Sequence, residues 1–180
     1  MKKYSISSFA VLLIVMMTFQ VIHSQSLNKK SNPNTLTITM EIDYSKWTSG
    51  NWYEAISFSD SDPVAEKMRG DTISKRRGRS FNSKVKRNQE LKWISTVKNA
   101  GKSEINLVLV SITRHPDWQG ETILTQPWYN SVDGGKSIIG LTRVAFRGGA
   151  EEHYIISFAV SNGNGGYDTY TIDPIVTGHL

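Results

Sequence analysis

Between Gly148-Gly149 and the run Asn162-Gly163-Asn164-Gly165-Gly166, large apolar side chains recur at every second position: Tyr154, Ile156, Phe158 and Val160 alternate with Ile155, Ser157 and Ala159. A period of two puts one set on each face of an extended strand, whereas a helix would scatter it around its axis. The Asn/Gly pentapeptide reads as a hairpin loop, because both residues accept positive φ at little cost. Tyr167 to Ile172 then pairs back, and Asp173-Pro174 stops it.

The same period appears at Leu36, Ile38, Met40 and Ile42, which alternate with Thr37, Thr39 and Glu41. Glu54 to Phe58 reads as a short strand closed by the acidic turn Asp60-Ser61-Asp62-Pro63, and Glu90 to Val97 as another strand. Ile105 to Thr113 is a nearly continuous β-branched run of the kind found in mid-sheet, ended by Pro116. His115 to Gly135 reads as a long loop with one short strand at Thr122 to Leu124, and strands resume at Ser137 to Phe146. Seven or so short strands without an amphipathic helix predict an all-β fold. The expected architecture is a single antiparallel β-sandwich, Ig-like or cupredoxin-like in its Greek key, spanning 36–180.

The first two dozen residues are set apart from that fold. Lys2 and Lys3 precede an apolar core, Phe9 to Ile22, followed by small residues, which is the pattern of a secretory signal. The apolar run falls short of the ~20 residues that span a bilayer, so cleavage after Ser24, with Ser26 as the alternative, is expected and no transmembrane anchor remains. Residues 25–35 (QSLNKKSNPNT) then form a flexible leader, and the mature protein is secreted or periplasmic.

Composition narrows the chemistry. With no cysteine among 180 residues there is no disulfide framework, thiolate zinc site, iron–sulfur cluster, type-1 copper centre or cysteine nucleophile. Charge is concentrated. Between Lys67 and Lys92, ten basic residues face only Asp71 and Glu90, so this stretch carries +8 and the rest of the mature chain about −5. A basic loop over 67–92 is expected.

Two segments resemble a known family: Val85-Lys86-Arg87-Asn88-Gln89-Glu90-Leu91-Lys92-Trp93 running on to Ile105–Ile112, and Tyr154 to Val160 with Tyr170-Thr171-Ile172-Asp173-Pro174. They are similar to the β-sandwich of the bacterial inclusion body protein (PixA/AidA) family, and more loosely to cupredoxin-fold modules. The resemblance covers residues 36–176 and implies a structural or interaction role, since that family is not known for catalysis. The chain departs from it in carrying an export signal and an Arg/Lys-rich insertion. The cupredoxin likeness brings no copper, because the Cys ligand is absent.

No catalytic set stands out. His115 or His153 could be combined with any of many Ser and Asp residues, but no G-x-S-x-G turn occurs, so a hydrolase using either histidine is the lesser alternative. Asp60, Asp62 and Glu66 lack the glycine and spacing of a calcium loop, and Gly163–Gly166 lacks the Lys-Ser/Thr of a phosphate loop. No metal site and no cofactor are expected, and a His/Met copper carrier is disfavoured, because Met40 lies on a core face and Met68 has no nearby histidine.

Two surfaces remain as candidates. Lys75, Arg76, Arg77 and Arg79 with Lys84, Lys86 and Arg87 are dense enough to bind an anionic polymer or an envelope surface. Only Phe81 interrupts the charges with a stacking ring, so no specific nucleic acid is expected, and the alternative is a solvated loop. Trp47, Trp52, Tyr53, Trp118, Trp128 and Tyr129 fall in turns and loops, where flat rings hold sugars or partner proteins. The alternative there is that they cap the core ends. Trp93, beside Leu91, belongs to the core.

Overall fold

A computed structural model describes residues 34–47, 52–62, 81–100, 105–162 and 164–179. The expected signal and leader up to residue 33, the acidic turn from Pro63, and Lys67, Arg69, Lys75, Arg76, Arg77 and Arg79 lie outside the described residues. Within them the protein is all-β. Ten strands run as β1 (Thr35–Asp43), β2 (Ile56–Asp60), β3 (Asn82–Val85), β4 (Glu90–Lys98), β5 (Leu107–Arg114), β6 (Trp128–Val132), β7 (Ser137–Leu141), β8 (Glu151–Ser161), β9 (Tyr167–Ile172) and β10 (Ile175–Gly178). The only helical turns among the described residues are three short 3-10 turns.

The strands join in one hydrogen-bonded path, β2-β1-β4-β7-β6-β5-β8-β10-β3, with β9 also paired to β8. Neighbours are antiparallel except at two places: β1 runs parallel to β4, with Ile38 beside Trp93, and β10 runs parallel to β3. At the ends of the path, Phe58 of β2 stacks on Phe81 beside β3 at 4.8 Å and 22°. The sheet therefore curls until the two ends of its path nearly meet, a barrel-like closure.

The alternation that marks β1 and β8 does what it should: Leu36, Ile38, Met40 and Ile42 point inward with Tyr154, Ile156, Phe158 and Val160. Trp93 sits at the centre, its indole N–H donating to the Tyr154 hydroxyl at 3.2 Å and its ring tilted against Tyr129 at 6.2 Å. Gly140 on β7 gives that ring its room, since a Cβ there would lie 2.8 Å from Trp93 Cζ3.

Several segments differ from expectation for identifiable reasons. Trp128–Val132, expected in a loop, is β6; only Tyr129 points inward there, so the exposed Trp128 and Asn130 hide the period from an apolar count. The last part of the basic loop is also strand, because Phe81, Ser83 and Val85 turn inward between exposed cations to make β3, while Glu90 opens β4. Thr122–Leu124 forms only an isolated bridge, Leu124 to Thr142, because the amides of Ile123 and Leu124 are taken by a side chain. Residues 143–146 leave the β7 ladder and run as loop. β9 does end at Ile172, ahead of Asp173-Pro174, but the chain resumes on the same partner: Ile172 pairs with Ile156 and Ile175 with His153, so β10 keeps the register of β9 against β8.

The side chain that takes those two amides is Glu152, at 0% exposure. Its carboxylate accepts from the Ile123 amide, from the Leu124 amide at 2.7 Å and from Arg114 Nε at 2.7 Å. Three donors compensate a buried charge that would otherwise be expelled from the interior. Glu152→Ala strands the Arg114 cation and two amides together, and is expected to cost about 3 kcal/mol, read as a lower urea midpoint. Gly140→Val drives a side chain into Trp93 and should cost about 1–3 kcal/mol in the same assay. An unchanged midpoint in either variant would contradict the packing described.

Candidate functional site

The antiparallel ladders give the sheet two ends, and charge and aromatic character divide between them. At one end the β3–β4 turn, Lys86-Arg87-Asn88-Gln89, meets the loop that leaves β7 at Thr142. Thr142 is fully buried: its hydroxyl donates to the Lys86 carbonyl at 2.6 Å and accepts from the Gln89 amide at 2.8 Å. The Thr142 amide donates to the Gln89 carbonyl at 3.0 Å, and Gln89 Oε1 accepts from the Lys86 amide at 2.8 Å. Asn88 takes the left-handed conformation (φ 52°) that closes this turn, a region Asn tolerates better than most side chains. Its amide donates to the Arg143 carbonyl at 3.0 Å.

Arg87 crosses from one loop to the other. Its Nη2 and Nε donate to the Phe146 carbonyl at 2.7 and 3.2 Å, with the guanidinium 5.9 Å above the Phe146 ring. That ring is buried against Gly178, where a Cβ would come within 2.6 Å of it. Arg147 Nε donates to Glu121 Oε2 at 2.8 Å, and the Arg147 amide to Glu121 Oε1 at 3.1 Å. The hydrogen bond from Arg147, ahead of the nearby Arg87 charge, holds the Glu121 carboxyl below its ordinary value. The contact is thus complete above the ordinary carboxylate range and is lost as pH falls through the lowered value.

Lys84, Lys86, Arg87, Arg143 and Arg147 are all exposed at or beside this junction. Three of them belong to the cationic set expected from sequence. Arg143 and Arg147 do not, because they lie some sixty residues further along and neither sits in a charged run. No local pattern could have revealed them; only the pairing of Thr142 with Gln89 brings them in.

The six loop aromatics do not form one surface. Trp47 and Trp52 gather at the opposite end with Tyr170 and Phe158. Trp47 meets Tyr170 edge-on at 5.0 Å, Trp52 lies 5.1 Å from Tyr170 and 6.1 Å from Phe158, and Tyr53 packs edge-on to Trp52 at 6.1 Å. Half-buried, Trp47, Trp52 and Tyr170 pack against the core, so these rings close the sheet end. Asp43 fixes the chain there, accepting from Ser45 and, at 2.9 Å, from Asn99 Nδ2. Tyr129 is interior at 7% exposure, which removes it from the binding set, and Trp128 projects outward at 56%.

Trp118 lies flat on His153, with ring centroids 4.4 Å apart and planes at 13°. His115 is its neighbour across the ladder, donating its amide to the His153 carbonyl at 3.0 Å and accepting from the Asp117 amide at Nδ1. The two histidines share one place on the outer surface with carboxylates 4.0 Å away, Asp117 from His115 and Glu151 from His153. Among the described residues no group of three or more His, Asp or Glu side chains could hold a metal ion.

No family's sequence pattern and no curated protein matches the chain. Among solved structures, the crystal structure of the inclusion body protein PixA from Burkholderia cenocepacia is similar, with a TM-score of 0.53 and 10% identity over 84% of this chain and 99% of that one. The likeness is one of fold, and it bears out the resemblance carried by Val85–Trp93 and Tyr154–Val160.

Proposed function

We propose that the protein is an exported, non-catalytic binding module that docks on anionic surfaces through its basic segment. Residues 1–24 act as a cleaved export signal, which places the mature chain in a secreted or periplasmic setting. The remainder is a β-sandwich of Ig-like or cupredoxin-like Greek-key kind, with β2-β1-β4-β7-β6 as one layer and β5-β8-β9/β10-β3 as the other. The observation that carries the reading is that the described end of the basic segment, Lys84, Lys86 and Arg87, is held open to solvent beside a further exposed cation, Arg143, with the Arg147–Glu121 pair at the same junction. Like charges gathered by buried hydrogen bonds repel one another, and an anionic partner relieves that repulsion.

A sugar-binding reading of the loop aromatics draws less support, because Trp47, Trp52, Tyr53 and Tyr170 pack on one another. A hydrolase built on His115 or His153 is the alternative class, and it predicts turnover of ester or glycoside substrates that Asn substitution of both histidines removes. The docking reading is tested on an anionic matrix such as heparin. Retention should fall steeply with salt, since each phosphate- or sulfate-like contact releases counterions. Lys75→Ser, Arg76→Ser, Arg77→Ser and Arg79→Ser together should abolish retention while moving stability by no more than about 0.5 kcal/mol. Salt-insensitive retention, or unchanged retention in the variant, would overturn it.

A further inference from the structure

Among the described residues Val144 is the most exposed large hydrophobic side chain, at 77%. A single exposed valine is ordinary on a protein surface, but its setting here is not. Thr142 and Phe146 on either side of it are buried anchors, so the loop is pinned twice and rises between the pins with Val144 and Ala145 outward. The Arg143 amide donates to the Ile123 carbonyl at 2.7 Å, and Arg87 holds the Phe146 carbonyl, which removes most of the loop's freedom to fold the valine away. Cationic residues flank it: Arg143 and the Glu121-paired Arg147 on its own loop, Lys86 and Arg87 on the loop bonded to it. Leu141, 41% exposed, precedes the loop, and the exposed Trp128 opens β6 at the same end, where the Tyr129 hydroxyl and the Thr125 amide both donate to the Leu141 carbonyl.

We infer that this end is a bilayer-docking face, on which Val144 enters the acyl boundary of an anionic phospholipid membrane while Arg143, Lys86 and Arg87 meet its phosphates. The inference rests on the anionic-surface reading and names its partner. A soluble polyanion, whether acidic glycan or nucleic acid, would engage the cations and leave Val144 and Leu141 in water. A bilayer takes up both: basic side chains near an anionic leaflet are each attracted, and small apolar side chains add affinity when they leave water at the interface. Trp128 suits the same boundary, since its ring is apolar and its N–H seeks the headgroup level.

The chain has no cysteine, so one introduced by Val144→Cys takes an environment-sensitive fluorophore uniquely, and Thr169→Cys on exposed β9 places the same label near the aromatic end. With the full chain and vesicles of phosphatidylglycerol and phosphatidylcholine, emission at 144 should rise several-fold and shift to the blue, while the label at 169 stays unchanged. Vesicles of phosphatidylcholine alone should give no response at 144, and Lys86→Ser with Arg143→Ser should weaken the response several-fold. The inference is overturned if the 144 label stays in water whether or not the protein sediments with the vesicles, or if both labels respond alike. Heparin retention that persists with a silent 144 label would assign the cations to a soluble polyanion and reject only the bilayer. Loss of retention on both supports would reject the anionic-surface reading as well.

Discussion

The buried carboxylate of Glu152 is the contact on which the cationic end is built. An interior charge must be met by donors, and here the Ile123 and Leu124 amides and Arg114 supply them. Fixing residues 123 and 124 fixes what they hold in turn: Leu124 bridges Thr142, and the Ile123 carbonyl receives the Arg143 amide. Thr142 then locks Lys86 and Gln89 across from it. A chain of hydrogen bonds thus runs from a carboxylate in the core to two surface loops that carry the cations. The order at the surface follows from a desolvation cost paid in the interior.

Strands whose two faces differ cleanly were legible from the sequence. Leu36–Ile42 and Tyr154–Val160 needed only their period, and the Asn162–Gly166 loop needed only its composition. Strands that present large or charged side chains outward were not: in β6 the exposed Trp128 outweighs the one buried Tyr129, and in β3 the density of Lys and Arg masks inward Ser83 and Val85. Asp173-Pro174 marks the end of β9 in the sequence, but not the resumption as β10, which depends on the Tyr154 amide donating to the Pro174 carbonyl and keeping the register on β8. The candidate site was half legible. Lys84, Lys86 and Arg87 announce themselves as a cluster, whereas Arg143, Val144 and Arg147 acquire meaning only from long-range pairing.

The two ends of the sheet handle exposed surface in opposite ways. At the aromatic end, Trp47, Trp52 and Tyr170 satisfy one another's faces and edges, the arrangement that ring quadrupoles favour. At the cationic end, Trp128, Leu141 and Val144 remain outward beside Lys86, Arg87 and Arg143. On the bilayer proposal this face is half of an interface, with phosphates for the cations and acyl chains for Val144 on the other side.

Backbone amide shifts, followed residue by residue while bicelles of anionic phospholipid are titrated into the protein, measure which end meets the partner. The account predicts that the largest changes fall on residues 86–89 and 143–147 and on Trp128, saturate with lipid, and reverse with salt, while Trp47, Trp52, Tyr53 and Tyr170 stay fixed. Changes confined to that aromatic group, with the amides of Arg87 and Val144 unmoved, would contradict it.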